Sequence, residues 1–359
     1  LLSFEQFLHL DLITAIQVAL LGFVGGLLSG FMGTGGAFFM TPGMMNLGVP
    51  GALAVGSNIA HKLGKSLVGS STHAKMGHVD RKLGLFLLVT ALIGVQVAAM
   101  VNKSFYPSNN ASSRVQIDSP AGDLYISVIF VLVLSIISIW MLRDFMKSRK
   151  PDQIPDTRMA EFLSRFRLAP MIFFPISDIK VSLWLLAVVG LMIGFLAGSV
   201  GIGGFLGVPA MIYVFGVPTV VAAGTEMFLA IFMGAWGTIT YAWGGFIDLR
   251  LTFLLYLGSL LGIYIGAYGT KIVREEFLRF VTGGVILICV LSRAINIPVY
   301  LGKLGYLSLS ESLVHLLQLL SKLTLFASGI FGVTVILIVI VRARARRRKA
   351  AELLRSFGV

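Results

Sequence analysis

Apolar residues run along this chain in long blocks, separated by short clusters of glycine, proline and charge. A membrane-spanning helix needs about 20 largely apolar residues at about 1.5 Å rise each. That ruler finds segments at 12–33, 36–48, 51–76, 83–102, 124–142, 181–200, 203–217, 219–243, 251–271, 277–297 and 323–341. The pattern predicts an all-α polytopic membrane protein. The segments 36–48 and 203–217 are short, and each follows a glycine cluster and contains a proline, Pro42 or Pro209. Each is expected to be a broken or half helix whose freed backbone groups need protein or water, not lipid.

The polar stretches orient the blocks. The connection 143–180 carries Arg143, Lys147, Arg149, Lys150, Arg158, Arg165, Arg167 and Lys180, and the positive-inside rule makes it a cytoplasmic basic linker. Within it Met159, Phe162, Leu163 and Phe166 recur at helical spacing opposite Arg158, Glu161 and Arg165. This is either a short amphipathic helix on the membrane surface or a solvated linker. Residues 298–322 are placed as an outer interfacial segment, 323–341 as an extra transmembrane helix, and 342–359 as a basic cytoplasmic tail. The run from Arg342 to Lys349 anchors topology or touches anionic lipid.

Slid against itself by 168 residues, the sequence registers. GFMGTGG, ending at Gly36, meets GSVGIGG, ending at Gly204; after a one-residue slip Pro42 meets Pro209. Gly48-Val49-Pro50 then meets Gly216-Val217-Pro218, Gly56-Ser57-Asn58 meets Gly224-Thr225-Glu226, and Asp80 meets Asp248. Residues 12–142 and 181–297 are therefore two five-segment transmembrane repeats. Five is odd, so consecutive repeats start on opposite sides and are inverted, an arrangement found in secondary transporters with substrate held near the midplane. The N-terminus is placed outside and the C-terminus inside.

Composition narrows the class. Hydrophobic residues make up 57% of the chain and charged residues 13%, about half the charged share of an ordinary soluble domain. A soluble globular enzyme is excluded. The net charge of +13 falls between or after apolar runs rather than on an amphipathic face, which argues against nucleic acid as a partner. Cys289 is the single cysteine, set in an apolar run, so it packs; it can form neither an internal disulfide nor a thiolate metal cluster.

The candidate chemistry sits at the breaks and on the third segment. Gly33, Thr34, Gly35 and Gly36, with Gly201, Ile202, Gly203 and Gly204, stand where backbone N–H groups open at a helix start and favour an anion. The alternative is that these glycines only permit tight helix crossing. On the third segment Asn58, His61, Lys62, Lys65, Gly69 and Thr72 fall within an arc of about 100°, one face. Charge in mid-membrane costs at least about 2.5–3.5 kcal/mol, so these lysines need compensation by an anion, by ion pairing or by snorkelling. On the matching segment stand Thr225 and Glu226, the latter the counterpart of Asn58. Glu226 is either the counter-charge that holds a lysine or a protonatable group that couples proton movement to substrate. Asp80 and Asp248 are expected to cap the next span. Trp236, Tyr241 and Trp243 fit an aromatic belt or a pocket wall, and Asn110-Ala111-Ser112 is a glycosylation sequon by pattern only.

The duplicated glycine cluster followed by proline, the polar third segment after Gly-Val-Pro and the Gly-x-x-Asp turns resemble the sulfite exporter TauE/SafE family of membrane permeases, over roughly 20–100 and 190–272. The resemblance implies a transporter, usually an exporter, of sulfite or small organosulfonates in the bacterial cytoplasmic membrane. The expected partners are a small anion of that class, membrane lipids, and protons or another coupling ion; no cofactor is expected. A passive anion channel is the alternative. A membrane-embedded enzyme is less favoured, because no HExxH, paired cysteine or Ser-His-Asp arrangement can be placed together.

Overall fold

The computed structural model describes residues 11–32, 36–106, 119–147, 168–201, 203–270 and 275–356. Its helices are α1 (Leu12–Met32), α2 (Ala37–Asn46), α3 (Gly51–Lys75), α4 (Arg81–Ser104), α5 (Pro120–Lys147), α6 (Leu183–Val200), α7 (Gly203–Phe215), α8 (Thr219–Trp243), α9 (Leu249–Thr270), α10 (Glu275–Lys303) and α11 (Glu311–Ser356). Eight of them, all but α2, α3 and α7, are long and apolar enough to cross a membrane, which makes this a multi-pass membrane protein. At 10 residues, α2 covers about 15 Å, half a bilayer core. The 25-residue α3 is long enough to span but carries His61, Lys62 and Lys65.

Two elements differ from the sequence expectation. Inside the stretch expected as a polar linker, Met171–Phe174 and Ile179–Ser182 form an antiparallel hairpin, β1 and β2, with Phe174 and Val181 buried. Aromatic and β-branched residues on either side of a proline-containing turn favour this pairing. The boundary between an outer interfacial segment and a separate last span is also absent. α10 continues to Lys303, and α11 runs unbroken from Glu311 to Ser356. Ser310 caps α11, its carbonyl accepting from Val314 N–H, and the polar residues after it sit inside helical turns. The amphipathic stretch 159–166 and the sequon at Asn110 lie outside the described residues.

Small residues set the helix pairing. A methyl group at Gly22 would come within 2.5 Å of the Leu255 carbonyl oxygen, and one at Gly26 within 2.5 Å of Ser259 Cα, so α1 lies backbone to backbone along α9. The pseudo-equivalent stripe, Gly190, Gly194 and Gly198 of α6, meets Leu87, Ala91 and Val95 of α4. Residue numbers rise together in both pairs, so both are parallel. At the centre Gly237 faces Ile59, Gly234 faces Leu63, and Met227 faces Gly69. Equivalent helices α3 and α8 thus run antiparallel, which places a pseudo-twofold axis across them near Gly64. Matching hydrogen bonds obey it: Asp80 N–H donates to Thr225 Oγ1 at 2.9 Å, and Asp248 N–H donates to Ser57 Oγ at 3.1 Å.

The buried apolar side chains form two clusters. One is built chiefly from α1, α2, α3, α5, α9, α10 and α11; the other comes from α4, α6, α7, α8 and the hairpin. Each repeat therefore lends its fourth helix to the other's cluster. The chain crosses between clusters at the turns 76–80 and 244–248. There Gly77 and Gly245 take φ of +73°, a left-handed conformation that only glycine adopts without strain.

Candidate functional site

Where the two clusters meet, a small cavity, with room for about one water, is lined by Ile59, Lys62, Val95, Ala197, Gly201, Met233 and Gly234. Lys62 brings the charge. Its Nζ lies 3.2 Å from Glu226 Oε1, joining α3 to α8 across the repeat boundary. Glu226 is 2% exposed, and its Oε2 has no hydrogen-bond partner among the described residues. Gly207 lies opposite it: a methyl group there would come within 2.5 Å of that oxygen, so the carboxylate would have to shift.

The expected single polar face of α3 is divided among three neighbours. Asn58 turns to α2, its Nδ2 donating to Ala37 O at 3.0 Å and to Thr41 Oγ1 at 2.8 Å, and its Oδ1 has no partner among the described residues. His61 turns to α9, with Nε2 2.8 Å from Ser259 Oγ and its ring 4.7 Å from that of Tyr256. Lys62 turns to α8, as does Gly69. Lys65 is half-buried, and no carboxylate or other hydrogen-bond partner meets it among the described residues. The structure thus joins Lys62 to Glu226 and directs His61 elsewhere, because adjacent positions on a helix differ by about 100° and meet different neighbours.

The glycine clusters divide as well. Gly33, Thr34, Gly35 and Ile202 lie outside the described residues. Gly36 serves close packing, since a methyl group there would collide with the Gly25 carbonyl. Gly201 ends α6 with φ of +78°, and its N–H donates to Ala197 O at 2.9 Å. That donor is occupied, so Gly201 contributes a wall of the cavity rather than a free N–H. Gly203 and Gly204 open the first turn of α7. Thr225 points to the start of α4 through Asp80 N–H, not into the cavity.

Thr41, Asn102 and Tyr256 were not singled out from sequence, and Tyr241 stood open between an aromatic belt and a pocket wall. The last carbonyls of α6 end in the protein interior, where they need donors. Asn102 Nδ2 donates to Ser199 O at 3.1 Å, Tyr241 Oη to Gly198 O at 2.7 Å, and Thr41 Oγ1 to Val200 O at 3.0 Å. Tyr241 is therefore core, whereas Trp243, 91% exposed, suits the belt. Tyr256 Oη donates to Ala60 O at 3.0 Å and accepts from Gly64 N–H at 2.9 Å. These two backbone groups are the i and i+4 pair of one helical bond, so a hydroxyl from α9 is wedged into the ladder of α3 beside Lys62 and Lys65. Asp80 and Asp248 cap as expected: Leu83 N–H donates to Asp80 Oδ1 at 3.0 Å, and Arg250 N–H to Asp248 Oδ1 at 2.8 Å. Asp80 has a second task, accepting on Oδ2 from Ser177 N–H at 3.1 Å and Ser177 Oγ at 2.7 Å at the hairpin turn.

Comparison with known proteins adds three relatives and a family. A family model described as sulfite exporter TauE/SafE matches residues 18–293. The probable membrane transporter protein YjnA of Bacillus subtilis (strain 168) is 26% identical over 76% of this chain and 97% of its own length. From the same organism, the probable membrane transporter protein YdhB is 26% identical over 73% of this chain and 93% of its own length. The probable membrane transporter protein YunE, again from that organism, is 24% identical over 70% of this chain and 87% of its own length. No solved structure matches the chain.

Proposed function

We propose that this chain, which belongs to the sulfite exporter TauE/SafE family, is a secondary transporter that exports a small anion, sulfite or an organosulfonate, across a bacterial cytoplasmic membrane. The observation that carries the proposal is the Lys62–Glu226 pair at a cavity between two packed bodies. Lys62 and Lys65 outnumber the one carboxylate beside them, so the centre favours negative charge. An arriving anion displaces Glu226 from Lys62, and Lys65 supplies the second positive charge. The freed carboxylate, buried with one oxygen already unpartnered among the described residues, takes a proton, so the anion crosses together with it. The cavity as it stands is too small for sulfite; in this proposal the state is the closed one between two openings, and alternating access follows from movement of one body against the other.

The test is a thermal-shift series on purified protein with sulfite, sulfate, thiosulfate and small sulfonates. A ligand at 100 times its Kd stabilises the folded state by about 2.7 kcal/mol. Sulfite or a sulfonate is expected to stabilise, and flux in proteoliposomes is expected to saturate and to respond to countersubstrate. Flux that neither saturates nor responds identifies a channel instead.

A further inference from the structure

The hairpin has two unlike faces. In the register of β1 and β2, Ile172, Phe174, Ile179 and Val181 share the side that packs on the second apolar cluster. On the other side Phe173 stands beside its cross-strand partner Lys180, and both are exposed. At the turn Ile176 is exposed as well. Apolar side chains beside a lysine on a free face suit neither bulk water nor hydrocarbon; they suit the boundary between the two.

The hairpin lies at that boundary. β2 ends at Ser182 and α6 starts at Leu183, with no residue between them. α4 starts at the same level, because Leu87, its seventh residue, lies against Gly190, the eighth of α6. Arg81 and Lys82 therefore open one span where the hairpin opens the other. The lipid-facing flank is adjacent. The Phe174 ring meets that of Phe86 at 5.9 Å, and Phe86 shares the exposed apolar side of α4 with Leu85 and Val89. Trp184, exposed in the first turn of α6, donates its indole N–H to Ala169 O at 3.2 Å, at the foot of β1. An indole at the end of an apolar span is a marker of the membrane–water interface.

Two cations meet at Phe173. Lys82 Nζ donates to its carbonyl at 2.8 Å, and Lys180 is its partner across the strands. Arg81, Lys82 and Lys180 are all exposed, against a single exposed carboxylate in the hairpin, Asp178. Asp80 is buried and engaged by Ser177. In the repeat register Lys82 corresponds to Arg250, whose guanidinium lies 3.2 Å from the Asp248 carboxylate. Positive charge is thus left open at the hairpin and neutralised at the related turn.

We propose that Phe173, Ile176 and Lys180, with Arg81 and Lys82 beside them, form a binding surface for an anionic phospholipid. The two apolar side chains reach the upper acyl region, and the cations hold the phosphate of the headgroup. Charge selects this occupant, since each Lys or Arg close to an anionic leaflet strengthens attachment by about fivefold. The surface lies on the outer flank of α4 and α6, so it stands whether or not the central cavity carries sulfite.

Nitroxide quenching on the full chain in lipid nanodiscs tests the proposal. Ile176→Cys labelled with bimane reports from the turn, and Cys289 is buried and adds little background. In phosphatidylcholine discs, a trace of lipid with a nitroxide near its headgroup is expected to quench the label about fivefold more strongly when carried on phosphatidylglycerol than on phosphatidylcholine. Arg81→Gln together with Lys180→Gln is expected to make the two lipids equal at an unchanged unfolding midpoint. Lys303→Gln, which removes an exposed cation at the far end of α10, is expected to leave the preference intact. Quenching by aqueous iodide and by neither lipid turns this face toward water and a soluble partner, and overturns the proposal. Equal quenching by both lipids in the parent chain overturns it too, as does a preference for phosphatidylglycerol that survives in the Arg81→Gln, Lys180→Gln chain, which assigns the lipid to the basic tail.

Discussion

Lys62 Nζ and Glu226 Oε1 are 3.2 Å apart, yet they are not opposite one another. The antiparallel register sets Leu63 against Gly234 and Gly69 against Met227, so Glu226 lies about two turns along α3 from Lys62 and the lysine must lean toward it. The pair crosses obliquely below the cavity, toward the α3 C-terminus. At the symmetry-related place stand Asn58 and Ala230, which cannot pair as ions. The ion pair is therefore one-sided: one repeat supplies the lysine and the other the carboxylate, with no ionic counterpart across the axis.

Breaking this pair from one side leaves a buried charge without its partner, at a cost of about 3–5 kcal/mol. Glu226→Gln and Lys62→Met are each expected to lower the unfolding midpoint, and the double substitution to recover much of the loss without recovering transport. A double-mutant cycle by thermal unfolding, together with proteoliposome uptake, checks this. Glu226→Gln is further expected to abolish acceleration of uptake by a pH gradient; persistence of that acceleration argues against proton coupling through this carboxylate.

Lys65 gives the contrasting case, because among the described residues it has no ion pair to lose. Lys65→Met is expected to leave thermal stability of the empty protein unchanged or slightly raised and to weaken sulfite binding about tenfold, the loss of about 1.4 kcal/mol of interaction. Titration by thermal shift measures both. An unchanged affinity removes Lys65 from the site.

Much of the fold was legible because glycine and proline punctuate it. The segment 219–243 is α8 to the residue, and the repeat register that paired Ser57 with Thr225 and Asp80 with Asp248 reappears as two matching hydrogen bonds. The site was less legible. A helical wheel shows which side chains share a face, but not which neighbour covers each part of it, so His61 was grouped with Lys62 although it faces Ser259. Arg293 was visible as a charge inside the segment 277–297, and an intramembrane charge is by default a functional signal. Its partners, Asn46 and Ser127, are far away in sequence and could not be inferred from it. The Tyr256 wedge is a contact between helices, invisible until α3 and α9 are side by side.

That wedge makes its own prediction. Tyr256→Phe removes the hydroxyl between Ala60 O and Gly64 N–H and lets the two bond directly, so stability is expected to change by less than about 1 kcal/mol. If the opened ladder is the place where α3 bends, the variant is expected to transport more slowly at unchanged affinity. Equal loss of affinity indicates that Tyr256 positions Lys62 and Lys65 instead.

The hairpin is fastened chiefly at Asp80, with Lys82 Nζ adding a bond to Phe173 O at 2.8 Å. Asp80→Ala removes a cap, costing about 1 kcal/mol, and strands two buried donors of Ser177. Limited proteolysis within 168–182 is expected to accelerate in this variant and to remain slow in Asp248→Ala, whose turn carries no hairpin. Equal protection in both variants shows that packing of Phe174 and Val181 alone holds the hairpin.

The sidedness derived from charge can be checked directly. Cys289 is buried, so cysteines introduced at positions 110 and 160 can be labelled against little background. They are expected to react from opposite sides of the membrane; labelling from the same side overturns the assignment.

The exchange of fourth helices bears on how the chain is made. α1 carries a glycine stripe fitted to α9, but the ribosome delivers α9 only after all of α2 to α8. Until then that stripe faces lipid or a temporary neighbour, and this close crossing between the repeats forms late, with the long delay that non-local contacts impose. The first repeat expressed by itself would lack its partner for α1, just as the second would lack the partner for α6. Biogenesis is thus coupled between the two ends of the polypeptide, and an insertion factor that shields small-residue helix faces would have its heaviest work early in synthesis.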